Sequence, residues 1–106
     1  MHEDIFINVS RKHLTKINSR DILLIEADGN YSKFITPTGN FLVTNTLAQI
    51  EAELSPEIFC RVHRAYIVPI SRIRDIEGNI IFLDGKEIPL AKQYKENLLS
   101  RLKIFR

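Results

Sequence analysis

The sequence predicts a mostly β fold of small antiparallel sheets, about nine to ten short strands with one short internal helix and a C-terminal helix. Three observations lead there. Short segments alternate apolar and polar residues at period two, turn-forming pairs such as Asp28-Gly29 and Asp84-Gly85 recur between them, and no strand alternates with a long helical stretch. The last point excludes Rossmann and TIM-like enzyme scaffolds. At 106 residues, 44% hydrophobic and 26% charged, the chain is long enough to bury one core without disulfide or metal staples. No repeat, low-complexity tract or linker divides it, so residues 1–106 read as a single domain.

The elements follow in order. Ile5-Phe6-Ile7-Asn8-Val9 alternates at period two, and His13-Leu14-Thr15-Lys16-Ile17 repeats the habit after a basic turn at Arg11-Lys12. Ile22 to Ala27 is an apolar run too short for a stable helix and reads as a buried strand. The turn at Asp28-Gly29-Asn30 leads into a strand at Tyr31–Thr36, and Pro37-Thr38-Gly39-Asn40 turns the chain again into Phe41–Thr44. Leu47, Ile50, Glu51 and Leu54 then recur at helical spacing behind Asn45-Thr46, either of which suits a helix cap, and this helix ends near Ser55-Pro56. Phe59–Val62 reads as a strand. Ala65-Tyr66-Ile67-Val68 is apolar but too short to assign, with Pro69 barring a continuous helix beyond it. Arg72–Ile76, Ile80–Leu83 and Glu87–Leu90, separated by Glu77-Gly78-Asn79 and Asp84-Gly85-Lys86, form a β-meander. From Lys92 onward, Tyr94, Leu98, Leu99 and Leu102 fall at helical spacing and close the chain as an amphipathic helix.

Composition narrows the function classes. One cysteine, Cys60, cannot close an internal disulfide, which favours a reducing compartment, the cytoplasm. The longest apolar run, Ile22-Leu23-Leu24-Ile25, falls far short of the roughly 18 residues of a membrane span, and Met1-His2-Glu3-Asp4 carries no secretory signal. Phosphate-cradling loops, zinc-helix motifs and nucleophile elbows are all missing. Cys60 and His63, three apart on a strand, point to opposite faces and supply fewer donors than a structural zinc site needs. Glu26 and Asp28 flank a turn, where carboxylates are ordinarily solvated. An enzyme, a metal site and a cofactor are therefore not expected.

Charge is distributed unevenly. Residues 1–55 hold five basic and seven acidic side chains, whereas residues 56–106 hold ten basic and six acidic, so the second half carries net +4. Such asymmetry can place a positive field on one face, the footprint of phosphate binding. The densest cluster of donors is Arg61-Val62-His63-Arg64-Ala65-Tyr66. Its arginines offer forked donors suited to phosphate oxygens or a guanine edge. The alternative is that Arg61 pairs with a carboxylate and His63 is a satisfied core histidine.

These residues also carry a resemblance. Ile25-Glu26-Ala27-Asp28-Gly29-Asn30-Tyr31, then Thr46-Leu47, then Phe59-Cys60-Arg61-Val62-His63-Arg64-Ala65-Tyr66-Ile67-Val68, then Ile88-Pro89-Leu90-Ala91-Lys92-Gln93-Tyr94 together resemble the LytTR family over about residues 4–102. LytTR domains are DNA-binding output domains of many bacterial response regulators. The resemblance implies a non-enzymatic transcription regulator of a two-component system that reads double-stranded DNA in successive major grooves with loops and strand ends. It also implies binding to tandem repeats as two copies. Base-contacting positions carried over from the family fall on Ser32 with neighbouring Lys33, on Arg64 and on Lys92. Asn30 or Lys33 stands in for the weakly discriminating Ser32, Arg61 belongs to the same DNA-binding set, and His63 braces the loop that presents Arg64. Lys95 and Arg101 would act, if at all, equally on every sequence.

Three departures from the family pattern bear on the site. Ala65 stands where Ser is common, Pro69 where Asn is common, and Ala91-Lys92-Gln93 keeps the basic charge of a hydroxyl–arginine pair without its hydroxyl. In most relatives a receiver domain precedes this module. The few residues before the first strand cannot form one, so the chain reads as a stand-alone regulator or an excised output domain, with a receiver domain or sensor kinase as a further partner. The competing readings are a protein-interaction module using sheet edges and basic surface, and an RNA-binding β domain stacking bases on Tyr31, Phe34 and Phe82.

Overall fold

A computed structural model describes all of residues 1–106 and shows ten strands in three antiparallel sheets. Strands β1 (Asp4–Ser10) and β2 (His13–Asn18) form a hairpin of their own. The central sheet takes β3 (Leu24–Asp28), β4 (Tyr31–Thr36) and β5 (Gly39–Val43), and, after helix α1 (Leu47–Glu53), β6 (Phe59–His63) and β7 (Tyr66–Pro69). Its order is β5-β4-β3-β7-β6. A three-stranded meander of β8 (Asp75–Glu77), β9 (Ile80–Leu83) and β10 (Lys86–Pro89) follows, and helix α2 (Lys92–Ser100) closes the fold.

Register explains why the central strands read as continuous apolar runs. Ile25 pairs with Phe34 and with Ile67, and these side chains face α1 and the β1–β2 hairpin in a core with Ile7, Ile17, Leu47, Ile50 and Phe59. Leu24, Cys60 and Val68 face the other way, onto Ile81, Ile88, Leu90 and Leu98 of the meander and α2. A sheet covered on both faces loses its polar alternation. That is the physical reason Ala65–Val68 is ambiguous in sequence: Tyr66–Pro69 is β7, an interior strand paired with β3 and β6.

Two expected strands start late. The run beginning at Ile22 joins the ladder late because Ser19–Asp21 is a 3₁₀ turn, closed by the Ile22 N–H donating to Ser19 O at 3.2 Å. Similarly, Ile70–Arg72 forms a 3₁₀ turn behind Pro69, so the strand expected at Arg72–Ile76 is only Asp75–Glu77. At the β3–β4 hairpin, Asp28 pairs with Tyr31, and Gly29 adopts φ +60. Gly29 and Asn30 form the loop, with glycine at the first central position as a type II′ hairpin requires. Thr46, not Asn45, caps α1: its hydroxyl accepts from the Gln49 N–H at 3.1 Å, and the Gln49 side chain accepts from the Thr46 N–H at 2.9 Å.

Cys60 is a buried free thiol. Burial pushes its pKa up, opposed by the Arg101 charge and reinforced by Glu51. The neutral thiol is therefore favoured in the folded state. Its contribution to stability is in place below the thiol's unfolded value, and is lost as pH climbs from there through the raised folded value. An alkylating reagent at pH 8 is expected to modify Cys60 slowly in the folded protein and rapidly in denaturant; equal rates would contradict its burial.

Candidate nucleic-acid interface

Three loops meet at one end of the central sheet. The β6–β7 turn is in the middle, between His63 and Tyr66. On one side the Ala27 N–H, at the end of β3, donates to Ala65 O at 2.9 Å and ties the β3–β4 hairpin to this turn. On the other side the Ala91 N–H, at the start of α2, donates to Val62 O at 2.9 Å. A shallow cleft of about 410 Å³ is lined by Asn30, Tyr31, Thr46, Arg61 and Arg64, among others, so the hairpin, the start of α1 and the β6–β7 turn share one surface.

Arg64, Lys92 and Asn30 are all exposed. The Arg64 guanidinium and Lys92 ammonium form no hydrogen bond or ion pair within the chain, which leaves their donors available. His63 braces the turn: its Nδ1 accepts from the Ala65 N–H at 3.1 Å, so the neutral ring carries its proton on Nε2. The ring packs against Tyr66 at 5.6 Å between centroids. With Ala65 N–H and O both engaged, the turn is held without the hydroxyl that Ala65 lacks.

Other expected contact residues are placed differently. Ser32 is buried, 2% exposed, and its hydroxyl donates to Asn45 O at 2.7 Å, tying β4 to the segment before α1. Ser32 pairs with Ala27 and faces α1, whereas Lys33, one residue on, faces the opposite side of the sheet. The Lys33 ammonium lies 3.2 Å from Glu26 and 3.8 Å from Asp28, and Glu26 also takes Lys86 at 3.7 Å. The Arg61 donors turn to His63 O, Arg64 O and Glu51. Lys95 donates to Gly78 O, and Arg101 donates through Nη1 to Pro56 O and Phe59 O. Phe34 is buried in the core, leaving Tyr31 as the one well-exposed ring of the stacking set proposed for RNA.

Sequence reasoning missed Glu51 and Tyr94, which meet Arg61 from α1 and α2. Glu51 precedes Arg61 by ten residues across a helix end and a loop, a separation with no local signature.

The fold and its basic loops define a β-rich nucleic-acid-binding domain without a helix-turn-helix. A family profile described as LytTr DNA-binding domain matches residues 4–103, and the chain belongs to that family. Among solved structures, the LytTr DNA-binding domain of a Bacillus cereus protein described as a methyl-accepting/DNA response regulator superposes with a TM-score of 0.79. The match covers 95% of this chain and 97% of that one at 16% identity, a likeness of fold. The CO-responsive transcriptional regulator RcoM of Rhodospirillum rubrum is 30% identical over 95 residues, 83% of this chain and 40% of the relative. The sensory transduction protein LytT of Bacillus subtilis is 29% identical over 94 residues, 83% of this chain and 39% of the relative. The chain thus spans about two-fifths of the length of these curated relatives. No helix is long and apolar enough to cross a membrane.

Proposed function

We propose that the chain is the sequence-specific, double-stranded DNA-binding module of a transcription regulator, with Arg64 as its principal base reader. The observation that carries this reading is the free guanidinium of Arg64 on a braced turn that is hydrogen-bonded on one side to the Asn30 hairpin and on the other to the start of α2. Arginine suits the O6/N7 edge of guanine in the major groove, and Lys92 supplies a point charge to base or phosphate. Asn30 replaces Ser32 at the hairpin because it is exposed and Ser32 is not. The module acts by binding, not catalysis. Two copies occupy tandem repeats, and a receiver or sensor domain, the kind of partner that the name of LytT suggests, supplies the signal.

Selection from random duplexes followed by sequencing tests this directly and is expected to return one short motif. On that motif the logarithm of affinity falls linearly with the logarithm of salt concentration, each phosphate contact contributing about 0.9 to the slope. A duplex outcompetes the corresponding single strands. A flat salt response would reject the DNA reading, and preference for single-stranded RNA would move the chain to the RNA-binding class.

A further inference from the structure

The most heavily engaged side chain near the reading turn is Arg61, whose donors are taken up within the chain. Arg61 lies on β6, at the edge of the central sheet, with its side chain 11% exposed. The β6–β7 ladder shifts register between Arg61 and His63, so Val62 is an extra, buried residue that re-aims the chain beyond it. The Arg61 guanidinium follows that turn. Its Nε donates to His63 O at 2.9 Å and its Nη2 to Arg64 O at 2.8 Å. Nη1 pairs with Glu51 of α1 at 3.2 Å, and the guanidinium carbon stands 5.6 Å from the Tyr94 ring centroid of α2. Helix α1 covers one face of the sheet and α2 the other, so this one group links both layers to the backbone on either side of the Arg64 side chain.

We infer that Arg61 is the positioning residue for DNA readout: it fixes the His63–Arg64 backbone before DNA arrives, and Glu51 holds it there. The inference rests on the DNA-binding reading. Its physical basis is preorganisation, since a reading arginine on a loose turn must be ordered at the moment of binding, which subtracts from affinity for the correct site. Lysine cannot substitute. A single ammonium lacks the planar fork that meets two carbonyls and a carboxylate at once. Arg61 bears on which sequence is preferred, through Arg64, without itself neutralising a phosphate.

The test is R61K in the full chain, read in two ways. Without DNA, exchange of the Ala65 amide is expected to accelerate about tenfold or more, because the turn carrying its bond to His63 opens more often. With DNA, discrimination at the base pair read by Arg64 is expected to fall about tenfold, while the salt slope on a non-cognate duplex stays that of the unaltered protein. In an R64A background, R61K should add nothing to the loss of discrimination. A salt slope reduced by about 0.9 with base preference intact would overturn the inference and make Arg61 a phosphate contact. Additive losses in the double variant would overturn it as well. If R61K fails to fold, E51Q takes its place: lowered discrimination at unchanged slope supports the inference, and unchanged discrimination overturns it. Failure of the DNA reading itself looks different, because the unaltered protein would then show no sequence preference while Ala65 exchange still reported on the Arg61 contacts.

Discussion

Arg64→Ala is expected to weaken binding to the selected duplex by about 1–3 kcal/mol, roughly five- to 150-fold, and to relax preference at one base pair. The size follows from what is removed. A guanidinium meeting a guanine edge makes two charge-assisted bonds in fixed geometry, and the wrong base leaves one or both unmade. The fold should not register the change, because Arg64 is exposed and its side chain bonds to nothing within the chain. Competition binding against duplexes altered one base pair at a time measures the effect, with thermal unfolding as the control. An unchanged base preference would remove Arg64 from the readout. Arg101→Ala gives the contrasting pattern. Its guanidinium holds Pro56 O and Phe59 O, so its loss should lower stability and leave base preference untouched.

The legible and illegible parts of this protein divide along the range of the forces involved. Hairpins were readable because period-two patterning and glycine turns act between neighbours in sequence: Asp28-Gly29 and Asp84-Gly85 each mark a real reversal. The bracing role of His63 was readable for the same reason, its partner being two residues away. Strand β7 was not, because its lack of alternation comes from being covered on both faces, a property of the assembled layers. The same holds at the site. A polar residue after a hairpin looks available for contact, yet Ser32 points inward to Asn45 O, thirteen residues away in sequence. Sequence left Arg61 between a ligand-binding arginine and one paired with a carboxylate; the closeness of two carbonyls, Glu51 and Tyr94 gives its donors their partners within the chain. Sequence patterning marks the cluster of donors, and long-range packing decides which of its members face out.

Leu98→Ala is expected to destabilise the domain by about 2–5 kcal/mol, the cost of removing a buried leucine and leaving a cavity. Against a typical total of about 5–15 kcal/mol, that is a large fraction of what keeps a domain folded. Apart from Leu98, only the partly buried Tyr94 ties the body of α2 to this core. The helix spans nine residues, fewer than the roughly 12–15 that an isolated helix needs even with favourable composition. Ala91 at its N-cap offers no side-chain bond, and Leu98 is its one buried residue. That side chain is fully enclosed and belongs to the core with Cys60, Val62 and Ile88, beneath the strand that carries Arg61. In urea the midpoint should fall with little change in slope. Because Lys92 is the first residue of α2, any DNA affinity should fall on cognate and non-cognate duplexes alike, which separates this variant from Arg64→Ala. An unchanged urea midpoint would mean that the terminal contacts of α2, Ala91 N–H to Val62 O and the Arg101 side chain to Pro56 O and Phe59 O, carry the helix without its apolar anchor.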